Sequence, residues 1–114
     1  EGAVAQGLGY TLAEELVLDD KGRVANADFC DYKIFGAKDM PKLTTILVET
    51  EEPLGPYGAK SISEVPINGP APAIANAIYA AVGVRPDVLP MSPARLLEAL
   101  WASQIRKTCQ VFKT

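Results

Sequence analysis

The chain has 114 residues, about the size of one domain, so a single hydrophobic core is expected. Hydrophobic residues make up 48% and charged residues 22%, which excludes collagen-like, coiled-coil and disordered classes. The 11 Lys and Arg are outnumbered by 14 Asp and Glu, the net charge is -3, and no basic run is present to neutralise phosphates. Nucleic acid is therefore not an expected partner.

Residues that carry much ordinary enzyme chemistry are missing. The sequence has no histidine, which excludes a Ser-His-Asp triad, a Cys-His pair and a His-based zinc site. Cys30 and Cys109 lie far apart and in no metal-ligand spacing, so no metal site on protein ligands is predicted. The longest apolar stretch, 71–84, is shorter than the roughly 20 residues of a bilayer span, and Glu1 opens no recognisable signal peptide. We expect a cytoplasmic protein with reduced thiols and no membrane partner.

The first predicted element is a helix within residues 1–18. Its apolar residues recur every four positions, which forms one stripe of a helix, and they are Val4, Leu8, Leu12 and Leu16. Glycines at positions 2, 7 and 9 each cost a helix about 1 kcal/mol relative to alanine. Close approach of another backbone or of a ligand is the expected reason for their presence.

Two features predict β-structure. The turn Asp19–Gly22 lies between the apolar residues 16–18 and Arg23-Val24, and an Asp opening with a Gly at positive φ suits a hairpin. Residues Lys42–Glu49 (KLTTILVE) are rich in Thr, Ile and Val and indicate a buried strand. The following stretch, 53–66, is punctuated by Pro and Gly and is predicted to be a loop.

Two further helices are predicted. The first covers Ala71–Val82, with Pro72 in its first turn and Gly83 at its end. It is apolar nearly all round, which implies burial on most sides, self-association, or exposed apolar surface in the isolated chain.

The second of these helices begins at Ser92 as N-cap, followed by Pro93. Its apolar face is formed by Leu96, Leu97, Leu100 and Trp101. The tail 106–114 has no periodicity and is predicted to be loose. The predicted fold is therefore a single α+β domain over 1–114, with a small mixed sheet and a hairpin covered by two to three helices.

Glu64 is the first candidate for chemistry. It follows the Gly/Pro loop, lies between apolar Ile62 and Val65, and precedes the apolar helix. A buried carboxylate in such a place suits general-base work near neutral pH. The alternative is a helix-capping or solvated loop residue.

The second candidate site is the amide of Gln6, beside Gly7 and Gly9, where a ligand could approach closely. A lone G-x-G does not predict a dinucleotide, and tight helix packing explains the glycines equally well. Polar side chains before Glu64 could also hydrogen-bond an anionic or heterocyclic ligand, or simply be solvated. These are Lys60, Ser61 and Ser63.

Several motifs in a fixed order carry a family resemblance. They are EGAVAQGLGYTLAEEL (1–16), DYKI (31–34), GPYGAKSISEVPINGPAPAIANAIY (55–79) and the helix that begins at Ser92-Pro93. Together they resemble the C-terminal part of the molybdenum-binding subunit of xanthine dehydrogenase and aldehyde oxidase family hydroxylases. The resemblance covers residues 1 to about 101.

The resemblance implies a role for each candidate. Glu64 matches the catalytic glutamate, the base that deprotonates the oxygen ligand of molybdenum during hydroxylation of an N-heterocycle or aldehyde. Gln6, followed by Gly7, matches the glutamine that contacts molybdopterin. The segment running past the metal and pterin corresponds to Lys60, Ser61, Ile62 and Ser63.

Two positions depart from the family pattern: Ser63, where the family usually has glycine, and Val65, where proline is common. Ser63 leaves open an alternative function, a non-catalytic binding or assembly module of the same fold. The chain's two isolated cysteines cannot supply four-ligand iron–sulfur clusters.

The resemblance therefore implies molybdenum–molybdopterin as the cofactor here, with iron–sulfur clusters and FAD on other segments or subunits. The implied partners are the remainder of the molybdenum subunit and the iron–sulfur and FAD subunits. The isolated chain is expected to be inactive, and the substrate stays open among purines, aldehydes and nicotinate-like rings.

Overall fold

The computed structural model describes the backbone of residues 1–111 and the side chains of residues 1–105. Its regular elements are three α-helices and two short 3₁₀ turns. The helices are α1 (Gly2–Leu12), α2 (Pro70–Val82) and α3 (Pro93–Val111), and the 3₁₀ turns are Pro56–Gly58 and Val65–Asn68. No strand is present within residues 1–111, so the predicted α+β fold with a mixed sheet is wrong.

The predicted hairpin is reduced to a turn with one isolated antiparallel bridge, between Leu18 and Val24. Gly22 has φ 75°, the positive value that the sequence predicts. The amide of Asp19 donates to the Arg23 carbonyl at 2.8 Å. Leu18 and Val24 both remain exposed. A two-stranded ribbon without a third strand or a helix against its apolar face is marginal, which explains why the ladder does not extend.

The second predicted strand, Lys42–Glu49, is also absent. Its backbone is irregular, and Ile46, Leu47 and Val48 are 80%, 78% and 80% exposed. Thr, Ile and Val favour strands because they pack well on a half-buried pleated surface next to a hydrogen-bonded neighbour. No segment of the described chain pairs with residues 42–49, so their β-propensity does not lead to a strand.

Helix α1 is shorter than the apolar stripe suggests. It ends at Leu12, where the amides of Ala13 and Glu14 both donate to the Gly9 carbonyl at 2.9 Å. Leu16, the last residue of the predicted stripe, is exposed beyond the helix end. Thr11 is fully buried, and its hydroxyl donates to the Gly7 carbonyl one turn earlier.

Helix α2 has the boundaries that its sequence predicts within one residue. It begins with Pro70 and ends at Gly83, which has φ 72° and donates its amide to the Tyr79 carbonyl at 2.8 Å. Ala75 is buried, whereas Tyr79 and Val82 are exposed. Helix α2 is therefore not buried on most sides. It leaves apolar surface exposed, which is one of the predicted alternatives.

Ser92 caps helix α3 as predicted, since its hydroxyl accepts a hydrogen bond from the Arg95 amide at 3.4 Å. Met91, just before it, donates its amide to the Thr11 carbonyl at 2.6 Å, which links α3 to α1. Arg95 adds a second link, to the carboxylate of Glu15. The helix continues to Val111, into the predicted tail 106–114, whose residues 112–114 lie outside the described part.

The chain as a whole is open. Its radius of gyration is 19.4 Å, whereas a compact chain of this length would have about 13 Å. The accessible surface is 9298 Å², against about 6,000 Å² expected for a compact folded protein of this mass. Within residues 1–105 few apolar side chains are buried, among them Ala75, Val84 and Met91. Among the described helices, none is long and apolar enough to cross a membrane.

Candidate functional site

Glu64 lies at the junction between an irregular segment and the 3₁₀ turn Val65–Asn68. Its carbonyl accepts a hydrogen bond from the Ile67 amide at 2.9 Å, which closes the turn. The side chain makes no capping hydrogen bond and is exposed. Of the interpretations that the sequence leaves open for Glu64, the solvated residue is therefore the one observed. The carboxylate is accessible. A side chain that acts on an external reactant must be accessible in this way.

The four residues before Glu64 are exposed as well. Lys60, Ser61 and Ile62 form one wall of an open groove of about 620 Å³, and residues 46–50 form the facing wall. Within the described part, residues 60–63 make no backbone hydrogen bond. Their position is thus set by the segments that flank them.

The turn after Glu64 is held directly against α1 at Gly7. A Cβ on Gly7 would lie 2.6 Å from Cγ of Pro70 and 3.0 Å from the carbonyl oxygen of Ile67. The Tyr10 hydroxyl donates to the same Ile67 carbonyl at 2.9 Å. The predicted close approach at Gly7 is confirmed. The group that approaches is this chain's own turn and Pro70, which corresponds to the packing interpretation of the glycine.

Gln6 precedes this contact and is exposed. Within the described part of the chain, its side-chain amide makes no hydrogen bond, so both its donor and its acceptor are available to an external group. Because Gly7 packs on the turn that follows Glu64, Gln6 and Glu64 lie on adjoining elements although 58 positions separate them. The structure therefore puts the two main sequence candidates next to a contact between two elements, Gln6 beside Gly7 and Glu64 before the turn that Gly7 meets.

The hydrogen-bond donors that the candidate residues expose suit an organic anion. The exposed groups are the amide of Gln6, the ammonium of Lys60 and the hydroxyls of Ser61 and Ser63. In the described residues, no group of three or more His, Cys, Asp or Glu side chains is placed to hold a metal ion. The residues present thus fit an organic cofactor that brings its own metal ligands.

Sequence reasoning missed two residues of this junction, Tyr10 and Pro70. Tyr10 lies four residues after Gln6, which places both on one face of α1, and this spacing was available as a signal. Pro70 was placed just before the predicted helix Ala71–Val82 and given no role of its own. Its contact with Gly7 depends on a tertiary approach that no local pattern reveals.

The chain is similar to known molybdopterin-binding proteins. A family described as molybdopterin cofactor-binding domain matches residues 1–41. The chain is 43% identical over 98 residues to the xanthine dehydrogenase molybdenum-binding subunit of Escherichia coli O157:H7, covering 85% of this chain and 13% of that protein. It is 37% identical over 101 residues to the aldehyde oxidoreductase molybdenum-binding subunit PaoC of Escherichia coli K12, covering 87% and 14%.

A solved structure agrees with these matches. The quinoline 2-oxidoreductase of Pseudomonas putida 86 superposes with a TM-score of 0.79 at 30% identity, over 88% of this chain and 13% of that one. The chain thus spans about an eighth of the length of the relatives it matches. By sequence and by structure, it belongs to the molybdopterin-binding subunits of the xanthine dehydrogenase family.

Proposed function

We propose that this chain supplies the catalytic base and part of the molybdopterin site of a molybdenum hydroxylase that acts on an N-heterocycle or an aldehyde. The observation that carries the proposal is the contact of Gly7 with the turn following Glu64, which places Gln6 and Glu64 on adjoining elements. The matched proteins support it, because their names specify xanthine, aldehyde and quinoline as substrates.

In this proposal Glu64 accepts a proton from the oxygen nucleophile. Its side chain is exposed and uncommitted to a cap, so the carboxylate is free to face a reactant. The bound cofactor supplies the redox chemistry of the hydroxylation. Gln6, positioned by Gly7, hydrogen-bonds the organic part of the cofactor. The segment Lys60, Ser61, Ile62 and Ser63 lies along it.

The whole activity requires more protein than this chain. The matched segments make up only 13% and 14% of the relatives, which are named as molybdenum-binding subunits, and this implies further subunits around them. We propose a cytoplasmic complex in which iron–sulfur clusters and FAD reside on other segments or subunits. The open shape and large exposed surface of the chain support contact with a larger body.

The decisive experiment replaces Glu64 with Gln in the complete molybdenum subunit complex. Glutamine keeps the shape and hydrogen-bonding reach of the side chain but cannot act as a base. We expect kcat to fall by roughly 10²- to 10⁴-fold while molybdenum content stays unchanged. Glu51→Gln is the matched control, since Glu51 is also exposed and lies in the same irregular region.

Gln6→Ala separates cofactor binding from chemistry. We expect lower molybdenum occupancy, measured by metal analysis, with turnover per molybdenum atom much less affected. A Glu64→Gln enzyme with full molybdenum and normal turnover would show that the carboxylate has no catalytic role. Turnover assays with a purine, an aldehyde and a quinoline on the wild-type complex then assign the substrate class.

A further inference from the structure

The position of Glu64 is fixed from one side only. On its N-terminal side, residues 60–63 make no backbone hydrogen bond within the described part of the chain. On its C-terminal side, the Ile67 amide donates to the Glu64 carbonyl at 2.9 Å. Whatever holds Ile67 therefore holds Glu64.

Ile67 is in turn held by α1. Its carbonyl accepts the Tyr10 hydroxyl at 2.9 Å, in a half-buried contact. The backbone of Gly7 lies against the same carbonyl, close enough that a Cβ there would be 3.0 Å from the oxygen. Packing at Gly7 limits how near the turn comes, and a directional hydrogen bond from Tyr10 fixes its orientation.

Tyr10 also lies on the face of α1 that carries Gln6, because the two residues are four positions apart. The Tyr10 side chain therefore connects the turn that follows Glu64 to the face of α1 that carries Gln6. We propose that Tyr10 is a positioning residue, which sets the location of Glu64 relative to the cofactor through its hydrogen bond to Ile67. This inference rests on the proposed role of Glu64.

The test is Tyr10→Phe in the complete molybdenum subunit complex. Phenylalanine keeps the ring and its packing and removes only the hydroxyl. We expect kcat to fall about fivefold, the factor corresponding to one ordinary hydrogen bond, with KM and molybdenum content unchanged. Tyr57→Phe is the matched control, because the Tyr57 side chain is fully exposed and its hydroxyl donates no hydrogen bond to the described residues.

A double variant distinguishes positioning of Glu64 from a general structural role. If Tyr10 acts through Glu64, adding Tyr10→Phe to Glu64→Gln causes no further loss of kcat. An independent fivefold loss in the Glu64→Gln background would overturn the inference, and so would a Tyr10→Phe enzyme with wild-type kcat per molybdenum atom. Full activity of the Glu64→Gln single variant would instead refute the proposed function, so the two failures are distinguishable.

Discussion

Two apolar regions of this chain differ in how much of their surface is packed. The packed corner, formed by α1, the turn Val65–Asn68 and the start of α2, brings backbone within van der Waals distance of backbone at Gly7. The open arm, residues 42–63, holds an apolar run at least as strong, yet its central side chains are about 80% exposed. Apolar content alone therefore does not distinguish ordered packing from exposure.

The two regions differ because only the packed corner has a complementary surface against it. In the packed corner, a missing Cβ at Gly7 makes room for Pro70, and the Tyr10 hydroxyl satisfies the carbonyl of Ile67. The open arm has no such complementary surface within the described chain. The proposed site lies where the two regions meet, with Glu64 as the last residue before the packed turn.

The largest expected effect is at Gly7. In an isolated helix Gly→Ala stabilises, but here the added methyl would lie 2.6 Å from Pro70. We expect Gly7→Ala to lower the free energy of unfolding by about 1–3 kcal/mol. Gly2→Ala, where no atom lies within 4 Å of the new Cβ, should be neutral or stabilising. Urea unfolding followed by circular dichroism measures both, and changes of the same sign would contradict the packed corner.

A smaller effect on stability is expected at the turn of Asp19, which is held by hydrogen bonds and not by buried side chains. Hydrogen bonds from the Arg23 backbone and then its side chain hold the pKa of Asp19 below its ordinary value. Because the folded-state pKa is lowered, the stabilisation is present above the unfolded-state pKa and is lost as pH falls through the folded one. NMR titration of the Arg23 amide should report this loss at acidic pH, and Asp19→Asn should abolish it. A titration that is unaltered in Asp19→Asn would assign the transition elsewhere.

The smallest effect is expected in the open arm. Val48→Thr places a hydroxyl on a side chain that is 80% exposed, so the free energy of unfolding should change by less than about 0.5 kcal/mol. The same substitution at Val84, which is 9% exposed, should cost about 1–3 kcal/mol because the new hydroxyl is desolvated. Equal effects at the two valines would mean that the arm is covered in solution.

The sequence predicted local features well where the signal is a backbone preference. Proline, serine and glycine favour particular backbone conformations. These account for the bounds of α2 to within one residue of the predicted Ala71–Val82, for the Ser92 cap and for the positive φ of Gly22. It failed for the sheet, since strand formation at 42–49 needs a partner that propensity cannot supply. For the site, the motif order predicted the family. The sequence left the choice between a buried and a solvated Glu64 open, because apolar neighbours in sequence do not guarantee enclosure in space.

Sequence by itself determined the bounds of α2, the start of α3, the Asp19–Gly22 turn and the resemblance that points to molybdopterin. Each of these depends on residues within a short stretch or on their order. The tertiary structure decided which atoms approach Gly7, that Tyr10 holds the turn of Glu64, and that the apolar run of the open arm stays exposed. These depend on which distant segments meet, a matter of shape and mutual burial that no local pattern encodes.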